Sequence, residues 1–126
     1  MTSEAQAHRS ILAFLRLALP GAIIHHSANE VALSGKDVAR AIGKAKSLGM
    51  LPGFPDIIIL PFAHIGPLFF EVKGPKGRLS PSQADVLGRL DGLGYRCAVV
   101  RSIDDVQARL SEWGVWTAIK FAGKIS

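Results

Sequence analysis

An α/β domain built on a small mixed β-sheet flanked by helices is the fold class that this sequence predicts, on three observations. Two runs rich in β-branched and aromatic residues, Asp56 to Leu60 and Leu68 to Lys73, lie close enough in sequence to pair as an antiparallel hairpin. A third such run, Tyr95 to Val100, is reached only through a helical segment, so it should pair in parallel with a neighbour. Helical apolar periodicity recurs before, between and after these strands. The expected order is α-β-α-β-β-α-β-α.

The first helix is expected over Ser3 to Ala18. Ile11, Phe14, Leu15 and Ala18 share one face, Arg9 and Arg16 point elsewhere, and Pro20-Gly21 ends it. A short strand follows over Ala22 to His26, and Ser27 to Gly35 reads as a loop or weak strand. The second helix, Lys36 to Leu48, carries Val38, Ala41, Ile42, Ala45 and Leu48 on its apolar face and stops at Gly49. Lys36, Arg40 and Lys44 recur every four residues and form a basic stripe on another face. That stripe is either a solvated surface or a row of phosphate contacts.

Leu51-Pro52-Gly53-Phe54-Pro55 is a proline-stiffened loop that leads into the Asp56 strand. Ser80-Pro81-Ser82-Gln83 reads as a capping box that opens a third helix, with Leu87, Leu90 and Leu93 continuing its apolar face. Ser102 caps a last helix, with Asp104 and Asp105 in its first turn and Ile103, Val106, Leu110 and Trp113 as its buried stripe. Val115 to Phe121 is expected as an edge strand or a contact for a partner subunit.

The chain has 126 residues, 48% of them hydrophobic, which suits one folded domain over residues 1–126 and argues against disorder. Arg16, Pro20 and Gly21 interrupt the apolar stretch Ile11 to Ile24, which excludes a membrane span there, and no signal peptide is visible. The single cysteine, Cys97, permits no intrachain disulfide, fits a reducing cytoplasm and reads as a buried small hydrophobe. Lys plus Arg number 15 against 10 Asp plus Glu, a net charge of +5 that favours a polyanionic partner.

Chemistry concentrates at the hairpin. Glu71 and Lys73 flank Val72, so strand alternation puts both on one face. Pairing of the two strands brings Asp56 to the same end. Two carboxylates beside one ammonium suit Mg²⁺, a hard cation that takes oxygen ligands and keeps several waters. Such a cation polarises a phosphate and promotes hydroxide formation, and the lysine orients that water or neutralises developing charge. The Val72 carbonyl is a further candidate ligand. A Glu-x-Lys strand more often just faces solvent, but here the strand is otherwise apolar, and a buried Glu and Lys need a reason. His25 and His26 are adjacent on a strand, point to opposite faces and make a poor zinc pair. His64 falls in a turn. Trp113 and Trp116 read as core or interface rather than base-stacking platforms.

Three runs carry a resemblance: Gly49-Met50-Leu51-Pro52-Gly53-Phe54-Pro55-Asp56, Phe70-Glu71-Val72-Lys73 and Gly77-Arg78-Leu79-Ser80-Pro81-Ser82-Gln83. Together they resemble the VRR-NUC family, the virus-type replication-repair nucleases of the PD-(D/E)xK superfamily, over a span from the first helix to Trp113-Gly114. The resemblance implies a restriction-endonuclease-like fold, with Asp56 and Glu71 as metal ligands and Lys73 as the catalytic lysine. Gln83 matches a glutamine close to the family's site, while also fitting the capping box. An acid in the first helix is implied as a further metal residue. Glu4 is the candidate, with Glu30 as its rival and helix-dipole stabilisation as the plainer role for Glu4.

The expected activity is Mg²⁺-dependent hydrolysis of DNA phosphodiester bonds, with Mn²⁺ as a substitute. Stand-alone members of the family resemble phage-encoded proteins and Holliday-junction resolvases. That implies branched DNA as substrate, a homodimer with two sites, and a prokaryotic or phage-encoded cytoplasmic protein. Lys36, Arg40 and Lys44, with Lys76 and Arg78, would hold phosphates without reading sequence. Two other readings stand beside it: a non-catalytic nucleic-acid-binding module on the same fold, and a protein-interaction domain using the tryptophan-containing tail.

Overall fold

The structure, a computed structural model, describes residues 3–27 and 36–119, without the side chains of residues 36–38 and 42. The segment 28–35, which includes Glu30, lies outside the described residues, as does the chain from 120 onward with Phe121. The elements are α1 (Glu4–Ala18), β1 (Ile23–His26), α2 (Lys36–Ser47), β2 (Ile57–Leu60), β3 (Leu68–Val72), α3 (Pro81–Gly92), β4 (Arg96–Val100) and α4 (Ile103–Glu112). Their order is the expected one.

The four strands form one sheet in the order β1-β2-β3-β4. β2 pairs antiparallel with both β1 and β3, and β4 joins β3 in parallel. Parallel pairing follows from the helical crossover, because α3 must carry the chain back to the end where β3 began.

Alternation along the strands sorts the side chains onto two faces. Ile57, Ile59, Leu68, Phe70, Val72, Ala98 and Val100 point to the side covered by α1 and α4, where they meet Ile11, Phe14, Leu15, Val106 and Leu110. Ile11 and Leu15 are fully buried, and burial of such a side chain is worth about 1.5–3 kcal/mol. Trp113 stacks on Phe70, with ring centroids 5.6 Å apart. The opposite face carries Phe69, Glu71 and Lys73 beneath α3, whose one fully covered residue is Val86. β3 is thus buried along its whole length.

Local signals set the helix ends. Ser3 caps α1 in a reciprocal box with Gln6, and Ser80 caps α3 in the same way with Gln83. Gly53 has φ +85°, and a Cβ there would stand 2.4 Å from the backbone of Ser82. The loop before β2 therefore packs directly on the first turn of α3, which only glycine permits.

Several expectations need correction. Leu93 is the C-cap of α3 and is 74% exposed, while Leu87 and Leu90 are half-buried. Val86 takes the buried role because it is the position that faces the sheet. Leu48 lies one residue past the end of α2 and is also exposed. Residues 115–119 form no strand: Val115 is buried and the Ala118 amide donates to the Ala18 carbonyl, which lays this segment against the end of α1. Of the core or interface roles expected for Trp116, its exposure removes the core. Cys97 is half-buried, with Sγ within 3.5 Å of the Leu87 carbonyl; burial and the nearby Asp91 push its thiol pKa up.

Candidate active site

The register places Asp56 opposite Glu71. Ile57 pairs with Phe70, so the antiparallel ladder extended by one residue brings the two acids together on the α3 side of the sheet. Asp56 is fixed there by the Val72 amide, which donates to its Oδ2 at 2.9 Å. Glu71 is 1% exposed and Lys73 8%, and these are the two buried charged residues among those described. Lys73 Nζ stands 3.6 Å from Glu71 Oε2. Gln83 Nε2 donates to that same oxygen at 3.1 Å, while Gln83 Oε1 accepts from the Ser80 amide at 2.8 Å. Capping and site contact are thus made by one side chain.

Glu71 Oε1 is buried without a hydrogen-bond partner among the described residues. An orphaned carboxylate oxygen is costly in a protein interior. Burial, followed by the negative charge of Asp56 and by the hydrogen bond that a protonated Glu71 shares with the Asp56 side chain, raises the Glu71 pKa from 4.5 to about 8; Lys73 pulls it back and Glu4 adds a further rise. A buried acid with one vacant oxygen, beside a second carboxylate, is the donor chemistry that a divalent cation satisfies. Asp56 and Glu71 would hold it. No three His, Cys, Asp or Glu side chains among the described residues are gathered closely enough to hold a metal between them. Any such ion would complete its shell with water or backbone oxygen, as Mg²⁺ commonly does.

Glu4 is close enough for its charge to reach Glu71, because the first turn of α1 packs on Gly74, where a Cβ would stand 3.1 Å from the Glu4 amide. Lys76 and Arg78 are exposed in the loop that follows Lys73. Gly77 folds back so that its amide donates to the Gly74 carbonyl. Arg40 and Lys44 are exposed on α2, which shares no described hydrogen bond, ion pair or ring contact with the Asp56 group. The position of the Lys36 side chain lies outside the described residues.

Sequence reasoning missed the neighbours of Asp56. A cleft of about 290 Å³ opens beside it, lined by Glu4, His8, Arg9, His26 and Ser27. His26 Nδ1 lies 3.2 Å from the Asp56 carbonyl, and the Ser27 amide donates to that same carbonyl at 2.7 Å. The His26 ring meets His8 edge-on at 4.5 Å. The signal available was that Glu4 with His8, and Ala5 with Arg9, stand four apart and form two adjoining strips of the first helix.

The family model of the VRR-NUC domain matches residues 5–104. The chain belongs to the VRR-NUC family. The matched span of this VRR-NUC chain includes Asp56, Glu71, Lys73 and Gln83 and begins one residue after Glu4. A solved structure described as a VRR_NUC domain protein is similar in fold, with a TM-score of 0.64 and 23% identity, over 88% of this chain and 87% of that one. No curated protein matches. The family is one of nucleases, and the four-stranded mixed sheet with its flanking helices is the restriction-endonuclease-like architecture. No helix among the described residues is long and apolar enough to cross a membrane.

Proposed function

We propose that this VRR-NUC chain, as a single domain over residues 1–126, is a metal-dependent endonuclease that hydrolyses DNA phosphodiester bonds. The observation that carries the reading is the pairing of Asp56 with the buried Glu71, whose Oε1 has no hydrogen-bond partner among the described residues, with Lys73 Nζ 3.6 Å from the other oxygen. A module that only binds DNA gains nothing from two acids facing a polyanion.

Mg²⁺, with Mn²⁺ as a substitute, would be held by Asp56 and Glu71, with the Val72 carbonyl and Glu4 as further candidates. When bound, it supplies Lewis-acid polarisation of the phosphate and a water of lowered pKa. The protein's own groups do the rest. Lys73 orients the attacking water and meets charge developing on the phosphate oxygens. Gln83 holds the Glu71 carboxylate in place by its amide hydrogen bond, and Lys76, Arg78, Lys36, Arg40 and Lys44 hold the flanking backbone. Branched DNA such as a four-way junction is the proposed substrate, cut by a homodimer whose two sites make paired incisions.

The test is cleavage of labelled four-way-junction, flap and linear DNA with Mg²⁺, with Mn²⁺ and with EDTA, beside Lys73→Ala and Asp56→Asn. Cation-dependent cutting that both variants lose by about a hundredfold or more supports the reading. Folded protein that binds DNA but cuts none of the three with either metal returns the chain to the binding-module alternative.

A further inference from the structure

The cleft beside Asp56 shares Glu4 and Asp56 with the proposed metal site, while its His8, Arg9, His26 and Ser27 have no part in that site. It lies between the first two turns of α1 and the paired ends of β1 and β2. Its volume of about 290 Å³ sits at the lower end of the range for ligand pockets, which suits one sugar-phosphate unit better than a larger molecule.

Glu4 and Asp56 are the acids of the lining, and the charge of each reaches Glu71. His8 stands one turn further along α1, about 6 Å from Glu4 in axial rise, and Arg9 follows it. His26 faces His8 from β1. Its Nδ1 lies against a carbonyl, which only accepts, so Nδ1 carries the hydrogen and the ring is fixed in orientation. The cleft therefore gathers two acids, a guanidinium and two imidazoles, with the His26 ring against the Asp56 carbonyl. A polyanionic strand approaching Asp56 meets repulsion from Glu4 and needs counter-charge within reach. Arg9 is the permanent cation of the lining.

We infer that this cleft seats the phosphodiester next to the one cut, with Arg9 as its counter-charge and the fixed His26 ring, backed by His8, as its wall. The inference rests on the nuclease reading for the position of the strand, and it makes Arg9 a substrate-binding residue rather than a surface charge. DNA is the strand assigned; equal capture of RNA of the same sequence with the same Arg9 dependence would overturn that part.

The experiment is fluorescence anisotropy of a labelled four-way DNA junction, and of its RNA counterpart, with the Lys73→Ala protein as a non-cutting background, in EDTA and across a salt series. Arg9→Ala should weaken DNA binding several-fold and reduce the slope of log affinity against log salt by about one. Arg9→Lys should restore the slope. Arg16→Ala, an exposed arginine of the same helix outside the cleft, should change neither. With the cutting enzyme, Arg9→Ala should raise KM more than it lowers kcat. Arg9→Ala matching Arg16→Ala in slope overturns the inference, even where the wild type cuts DNA. A wild type that binds DNA and never cuts removes the nuclease reading and with it the placement next to a cut bond; a slope that Arg9→Ala still flattens then supports only a phosphate seat in the cleft. Absence of DNA binding overturns both.

Discussion

Gln83 Nε2 donates to Glu71 Oε2 at 3.1 Å, and the other end of the same amide closes the capping box of α3 on Ser80. The start of a helix and the orientation of a buried acid are therefore one structural unit. Gln83→Glu separates the two functions. A glutamate at this position still accepts from the Ser80 amide, but it has no donor for Glu71 and sets a like charge beside it. The expected result is a thermal midpoint within a few degrees of wild type and a marked loss of cation-dependent cutting. Gln83→Ala should lose the cutting and about 1 kcal/mol of stability as well. Melting curves beside cleavage rates read both effects.

Gly53→Ala should be among the most damaging single-methyl additions in the chain. The new Cβ would stand 2.4 Å from the Ser82 backbone, and φ there is +85°. Both the loop that delivers Asp56 and the helix that delivers Gln83 would have to move. A loss of about 2 kcal/mol or more is expected. Gly49→Ala is the comparison: its φ is +104°, but nothing lies within 4 Å of the added atom, so only backbone strain of about 1 kcal/mol applies. Urea midpoints of the two variants should separate clearly, and equal midpoints would refute the close approach.

The raised Glu71 pKa fixes the sign of a stability change with pH. Its value goes from 4.5 to about 8, mainly through burial. Between these pH values the folded protein holds the proton and the unfolded chain has released it. Folding stability from this group is thus fully present below 4.5 and is lost as pH rises through about 8. The cation-free protein in EDTA should have a lower urea midpoint at about pH 8.5 than at about pH 5, and Glu71→Gln, which does not titrate, should flatten that difference. The same variant should be the more stable protein at alkaline pH while losing cation-dependent activity. Identical pH slopes for the two proteins would exclude Glu71 as the source.

The sheet and two of the helix starts were legible in the sequence because their signals are local. DIIIL and LFFEVK are dense apolar runs, and Ser80-Pro81-Ser82-Gln83 is a capping box complete in four residues. Strand alternation alone paired Glu71 with Lys73. The buried face of α3 was not legible. Leu87, Leu90 and Leu93 look as apolar as Val86, and only the placement of the helix over β3 and β4 decides which is covered. The cleft was hidden for a related reason. His26 is distant in sequence from His8 and Arg9, and alternation says only that His25 and His26 face opposite ways. Which of the two faces α1 depends on β1 pairing with β2 in the register His26 to Ile57.

Lys73→Met gives the sharpest separation of binding from chemistry. Lys73 is 8% exposed and its ammonium lies 3.6 Å from Glu71 Oε2, so it repels any divalent cation drawn to the same carboxylates. Methionine fills a similar volume without charge. Cation affinity, followed calorimetrically with Ca²⁺ or Mn²⁺, should therefore hold or rise in the variant. Cutting should fall by about a hundredfold or more, because the group that orients the water is gone. Loss of both together would mean that Lys73 supports the fold of the site and not its chemistry. Cutting that persists would remove Lys73 from the mechanism and leave Asp56 and Glu71 to act alone.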